Sequence, residues 1–233
     1  MLSTTKKLKI SPIIGPLFCL WMLVFSANAH AVVDIGVTAK FGTTGIGADI
    51  TVPIVSNWIN LRLGYNWFEF RPSINEAGID YSGDVDFETV PLLLDLHPLH
   101  GNFRITAGVF YNNSEMSLSA TPPGSFNIGG LPIPPGSGIS LRSTVDWENE
   151  FAPYFGIGWG NAADDNFMDL PIAIGFSADL GVFYQGSPRV TMSQVAGPPV
   201  PQAALDAEAA ELEDSFSDFK FFPVATVGIH IRF

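Results

Sequence analysis

Cysteine is almost missing from this sequence: Cys19 stands alone among 233 residues. It lies in an N-terminal segment that reads as a leader. The mature chain is therefore expected to carry no disulfide, no thiolate nucleophile and no cysteine metal ligand. Basic residues are also scarce, with 11 Lys and Arg against 23 Asp and Glu. A nucleic-acid partner needs a basic footprint, so none is expected. A third absence is any long apolar run. The longest, Ile13 to Phe25, has 13 residues and is broken by Gly15 and Pro16, whereas a membrane-spanning helix needs roughly 20.

What is present begins with that leader. Lys6, Lys7 and Lys9 precede the short apolar run, and small residues Ala27, Ala29 and Ala31 follow it. A basic start, an apolar core and an A-x-A site make a secretory signal peptide. Cleavage after Ala29 fits best, with Ala31 as the alternative. This predicts residues 1–29 as leader and 30–233 as one mature domain. Bulky Phe18 precedes Cys19, so no lipid anchor is expected. Loss of the leader removes three lysines and no acid, leaving eight basic residues against 23 acidic ones, a formal charge of −15.

From Val33 onward the sequence alternates with period two, the mark of strands with two unlike faces. Leu170, Ile172, Ile174, Phe176, Ala178, Leu180, Val182 and Tyr184 share one face, against Gly175, Ser177, Asp179, Gly181 and Gln185 on the other. The last segment repeats this with Ala225, Val227, Ile229, Ile231 and Phe233 opposite Thr226, Gly228, His230 and Arg232. Eight strands are predicted, roughly 33–41, 45–55, 58–71, 79–97, 102–119, 139–160, 168–186 and 218–233. In the fourth, Asp84, Asp86 and Glu88 have the opposite parity to Asp95. A bulge near Val90–Pro91 would put all four on one face. The connections alternate between short ones at one end and longer ones at the other. The longest fall at about 120–138 and 187–217. Within the latter, 187–202 reads as irregular because of its prolines. Residues 203–216 read as a helix, with Leu205, Ala209, Leu212 and Phe216 on one stripe and Glu208, Glu211 and Asp214 facing away.

Alternation alone does not say which face meets lipid. The polar face is dominated by Gly, Ser, Thr and Asn, which suits a narrow eight-strand interior better than a water-facing exterior. Aromatics cluster near strand ends at Trp58, Tyr65, Trp67, Phe103, Tyr111, Trp147, Trp159, Tyr184 and Phe233, as an interfacial girdle would. The expectation is an all-β fold: an eight-stranded antiparallel up-and-down transmembrane barrel with a short helix in the last outer loop. A terminal phenylalanine on an alternating strand resembles the C-terminal signature of bacterial outer-membrane proteins. The mature chain resembles the small eight-stranded class that includes OmpA-like, OmpX-like and OmpW-like barrels. "APYFGIGWGN", "FSADLGVFYQGSP" and "DFKFFPVATVGIHIRF" are also similar to a group of proteobacterial outer-membrane proteins. The resemblance implies a Gram-negative outer-membrane location, with lipid and lipopolysaccharide as surroundings and Phe233 as a signal to the assembly machinery. It implies no activity.

Asp34, Arg62, Asp95, Arg104, His230 and Arg232 are predicted to share the inward face near the end with short connections. Charges confined in a narrow barrel must pair, which points to a structural plug; the sharper alternative is an ion-selective constriction. Acidic residues gather at the other end. No run matches an EF-hand loop, so no metal site and no cofactor is assigned. Catalysis by lipid editing would need a nucleophile, a base and an orienting group together. Asp95, His97 and His100 fall on a turn. Ser177 and His230 share the inward side, about six positions apart in height along the strands. No catalytic residue is assigned.

Overall fold

The computed structural model describes residues 35–76, 79–122, 124–163 and 173–232. The leader, Asp34 and Phe233 lie outside them. The barrel strands are β1 (Gly36–Gly42), β2 (Gly45–Val55), β3 (Ile59–Phe70), β5 (Ile79–Leu96), β6 (Phe103–Asn112), β11 (Phe151–Trp159), β12 (Ala173–Tyr184) and β14 (Phe221–Arg232). They pair in that order, each antiparallel to the next, and β14 pairs back onto β1 with Val37 opposite Ile231 and Phe41 opposite Val227. The result is a closed eight-stranded antiparallel barrel. Closure leaves no barrel edge unpaired.

The pleat sorts the side chains. On β11, Phe151, Phe155, Ile157 and Trp159 are exposed, while Ala152, Tyr154 and Gly156 are buried. On β12, Ile174, Phe176, Leu180, Val182 and Tyr184 face outward while Phe183 is buried. These outward apolar rows are 9 to 11 positions long, the length a tilted strand needs to cross hydrocarbon. Among the described residues no helix is long and apolar enough to span a membrane, which says nothing of a barrel.

The predicted bulge is absent. β3 and β5 keep one register from Ile59 opposite Leu96 to Phe70 opposite Val85, and β5 also keeps one register against β6. Thr89, Pro91, Leu93 and Asp95 all point inward and are buried. Asp84, Asp86 and Glu88 therefore lie on the outward face. No phase change is needed, because this part of β5 has risen above the apolar band. Pro91 fits because Gly64 lies across from it; a Cβ on Gly64 would come within 2.9 Å of the proline ring.

Two strands expected to be continuous are each divided. β6 ends at Asn112 and β7 (Glu115–Thr121) follows; β10 (Ser140–Trp147) ends before β11 begins. The upper half of β5 pairs with β7, β7 with β10, and β10 with β13 (Pro188–Ala196); short β4 (Ser73–Glu76) pairs on the other side of β5. A sheet thus extends above part of the rim. β13 lies in a stretch expected to be irregular. Its prolines flank the alternating Val190, Met192 and Gln194 rather than interrupt them. Trp147, expected in the girdle, sits in this extension instead.

The predicted helix is present as α1 (Gln202–Ser215). Five alanines supply strong helix propensity. Leu205 and Ala209 are buried in a second apolar cluster with Ile128, Ile133, Ile139, Val190 and Met192. The hairpin of β8 (Phe126–Ile128) and β9 (Leu131–Ile133) supplies part of that cluster. Its two-residue turn, Gly129–Gly130, has positive φ at both positions, the mirror-image turn that fits strand twist. Glu208 does not face away as expected: it accepts a hydrogen bond from the Gly129 amide at 2.8 Å. Glu213 likewise accepts from the Val190 amide at 2.8 Å, satisfying an otherwise open edge-strand donor. Leu205→Ala is expected to loosen α1 by about 2–4 kcal/mol, read as faster amide exchange in 188–216 with the barrel amides unchanged.

Candidate functional site

The inward face carries three cations and three anions at one level. Lys40 comes from β1, Asp49 from β2, Arg62 from β3, Asp95 from β5, Arg104 from β6 and Asp179 from β12. Lys40 Nζ lies 2.7 Å from Asp49. Arg62 is central: it is 3.0 Å from Asp95, 2.9 Å from Asp179 and 3.6 Å from Asp49. Arg104 is 2.8 Å from Asp179 and 3.7 Å from Asp95. Thr106 donates to Asp95 at 2.6 Å. Arg104 also donates to the carbonyls of Trp159 and Gly160. All six side chains are 7% exposed or less. Their formal charges cancel, which is what a dry site demands of ions. Arg62 suits the centre because its planar fork serves several carboxylates at once.

Of the residues singled out in the sequence, Arg62, Asp95 and Arg104 meet here. His230 is fully buried in the interior and Arg232 is half-buried near the end with short connections; Asp34 lies outside the described residues. Lys40, Asp49 and Asp179 had not been singled out. Their signal was available, since each is a charged residue on a face otherwise made of Gly, Ser and Thr. The expected separation of Ser177 and His230 also needs correction. Gly175 pairs with His230 and Ser177 with Gly228, so the two lie two positions apart. Strands lean in a barrel, and counting from strand ends misjudges height. Of the three carboxylates at the ionic level, Asp95 and Asp179 are held by Arg62 and Arg104, and Asp49 by Lys40. His97 is buried one inward position beyond Asp95, and His100 stacks edge-on against Trp58 at 4.3 Å.

An apolar layer lies on the other side of the ions, toward the long connections. Leu93, Phe110, Ala152, Tyr154, Phe183 and Val224 are buried there, with Phe222 against them. Phe183 stacks on Phe110 and on Phe222, each at 4.9 Å, and Phe222 meets Phe87 at 5.8 Å. Two small cavities flank Arg62. One is lined by Thr38, Thr51, Asn60, Asp95 and Arg104, the other by Lys40, Tyr154, Asp179 and Thr226. Each gives the centre of a water-sized sphere only about 10 Å³, room for about one water.

Outside the apolar band the charges are solvated. Arg71 lies against Glu69 and 2.8 Å from Asp84, and its pKa is raised, first by the hydrogen bond to Asp84. Burial, then the charges of Asp84 and Glu69, raise the Asp86 carboxyl above its usual range. Among the described residues no cluster of three or more His, Cys, Asp or Glu is arranged to hold a metal ion.

No protein-family model and no curated protein matches the chain. Solved structures do. CarO of Acinetobacter baumannii is similar with a TM-score of 0.56 at 23% identity, covering 87% of this chain and 99% of that one. CarO2 of the same organism gives 0.56 at 22%, covering 88% and 100%. A major outer membrane protein from Thermus thermophilus gives 0.50 at 16%, covering 87% and 100%. The likeness is one of fold. It joins this chain to barrels whose own descriptions place one of them, the Thermus protein, in an outer membrane.

Proposed function

We propose that this chain is an integral outer-membrane barrel of the small eight-stranded class, with a side-chain-plugged interior and outer elements that do the work. Surroundings in this reading are outer-membrane lipid and lipopolysaccharide, and insertion uses the outer-membrane assembly machinery. The outward apolar rows support the membrane setting. The polar upper half of β5 and the long connections support an outward-facing extension. One observation carries the plug: Arg62, tied to three aspartates on three other strands, separates two cavities that each admit about one water. An ionic layer beneath an aromatic layer opposes both polar and apolar traffic. The experiment is single-channel recording from the purified protein in planar bilayers. The expected result is no discrete conductance. A well-defined native conductance overturns the plug.

A second reading, a narrow passage for small or apolar solutes as in OmpW-like barrels, is favoured by one feature: the cavities lie on both sides of a single side chain. Under it, rearrangement of Arg62 would join them. The same recording separates the two, since a passage opens in the native protein and a plug does not. Lipid editing ranks below both, because the interior carboxylates are held in ion pairs by Arg62, Arg104 and Lys40.

A further inference from the structure

One short connection does not stay on the surface. Connecting segments usually do, because their backbone groups need water. Asn161, Ala162 and Ala163, which follow β11, are instead 3%, 7% and 5% exposed. The Gly160 amide donates to the Asn102 carbonyl at 2.8 Å. Its φ of +105°, a conformation open to glycine, turns the chain off the wall. Asn161 then accepts a hydrogen bond at 2.8 Å from the Asn60 side-chain amide on β3. Ala162 meets β1, where a Cβ on Gly36 would come within 2.8 Å of its methyl carbon. Around the barrel, β1 is reached from β11 through β12 and β14, and β3 through β6 and β5. Both therefore belong to the opposite wall, and the segment crosses the mouth at the end with short connections. It also floors the cavity on that side of Arg62: Gly160 and Ala162 line it with Thr38, Thr51, Asn60 and Arg104.

Arg104 serves both this floor and the ions. Its Nη1 donates to the carbonyls of Trp159, at 3.3 Å, and Gly160, while its Nη2 donates to Asp179 at 2.8 Å. We propose that the inturned segment is an inner gate and that Arg104 ties it to the ionic layer. Polar bonds hold the floor, since alanine methyls bury little apolar area. With Arg62 in place, Asp95 and Asp179 have a second cation, and Arg104 can give one nitrogen to carbonyls. When Arg62 withdraws, the two carboxylates have Arg104 alone. A guanidinium gains more from a carboxylate than from a neutral carbonyl, so Arg104 turns to them and releases Gly160. The inner mouth then opens in step with the ionic layer. The proposal rests on the reading of the interior as closed, and adds how closure is released.

Beyond the leader the chain has no cysteine, so Thr51→Cys puts a single thiol in the floored cavity. The Thr51 hydroxyl has no hydrogen-bond partner, and the change breaks none. Labelling of the purified barrel by a water-soluble methanethiosulfonate reagent should be slow. Asn161→Ala and Asn60→Ala each remove the bond across the mouth and should speed it by about tenfold. Arg62 and the aromatic layer still block the other end in both. The tie is read by amide exchange at 160–163, with the β12 amides as the reference for general loosening. Arg62→Ala should speed that exchange by about tenfold or more relative to β12. Arg62→Met with Asp179→Asn, which removes the surplus carboxylate, should bring it back toward native. Heat-modified gel mobility checks that each variant folds. Labelling that is already fast in the native barrel, or that ignores both asparagine changes, overturns the gate. Exchange at 160–163 that only follows β12 in Arg62→Ala overturns the tie. Bilayer recording separates the two readings. A silent barrel whose floor ignores these changes rejects the gate and keeps the plug; a conducting native barrel rejects the plug and, with it, the gate.

Discussion

Arg62→Ala is expected to destabilise the barrel by about 3–5 kcal/mol, the cost of removing one partner from a buried ion cluster. It should also turn an electrically silent protein into a leaky one. Without the guanidinium, Asp49 keeps only Lys40, and Asp95 and Asp179 share only Arg104. Three buried carboxylates then face two cations. The two cavities that Arg62 divides also merge into one space. Lys40→Met removes a partner from a single aspartate and leaves the central wall standing, so its effect should be smaller and silent in bilayers. Arg62→Lys should fall between, because a point charge cannot serve three carboxylates at once. A double variant separates the two roles. Arg62→Met with Asp179→Asn restores charge balance and fills much of the volume, so stability and closure should both return in part. Denaturant unfolding in vesicles reads stability, and planar-bilayer recording reads closure. A silent Arg62→Ala protein with a native midpoint would mean that the ionic layer neither seals nor supports the barrel.

The barrel was legible in the sequence because lipid and a crowded interior impose opposite demands on alternate residues. Ile174, Phe176 and Leu180 against Gly175, Ser177 and Asp179 state that contrast within one strand. Arg62, Asp95 and Arg104 were legible for the same reason, as charges on a face of small residues. Lys40, Asp49 and Asp179 were as visible in principle. Their meeting is hidden because the strands lean, so residues far from one strand's end meet residues near another's. The extension was less legible. β13 has a strand's alternation, but its partner is β10, and no local signal says that the stretch 140–159 divides after Trp147 into an extension strand and a barrel strand. The outward acids of β5 misled in the same way: they read as a phase change only if the whole strand is taken to lie in lipid. Helix α1 followed from its alanines and the spacing of Leu205 and Ala209. The roles of Glu208 and Glu213 did not, since they answer to the amides of Gly129 and Val190, which only the fold brings near.

Leu180→Arg is expected to cost about 2–4 kcal/mol, the range for a cation on the lipid face near the midplane of a membrane barrel. Leu180 is 62% exposed and points outward. Its neighbours across the ladder are Ile157 and Ala225, both within the outward apolar rows, with a further outward residue of β11 or β14 on either side of each. The matched comparison is Thr191→Arg on the outer face of β13, also exposed. Above the lipid an added arginine meets water and sugar, and exposed substitutions of this kind stay within about 0.5 kcal/mol. Both variants add the same charge to the same acidic protein, so net charge cancels from the comparison and only the medium differs. Unfolding from phospholipid vesicles gives the two free energies under one condition. If Leu180→Arg cost no more than Thr191→Arg, the apolar rows would face water. The inward polar layer would then be the unusual core of a soluble barrel.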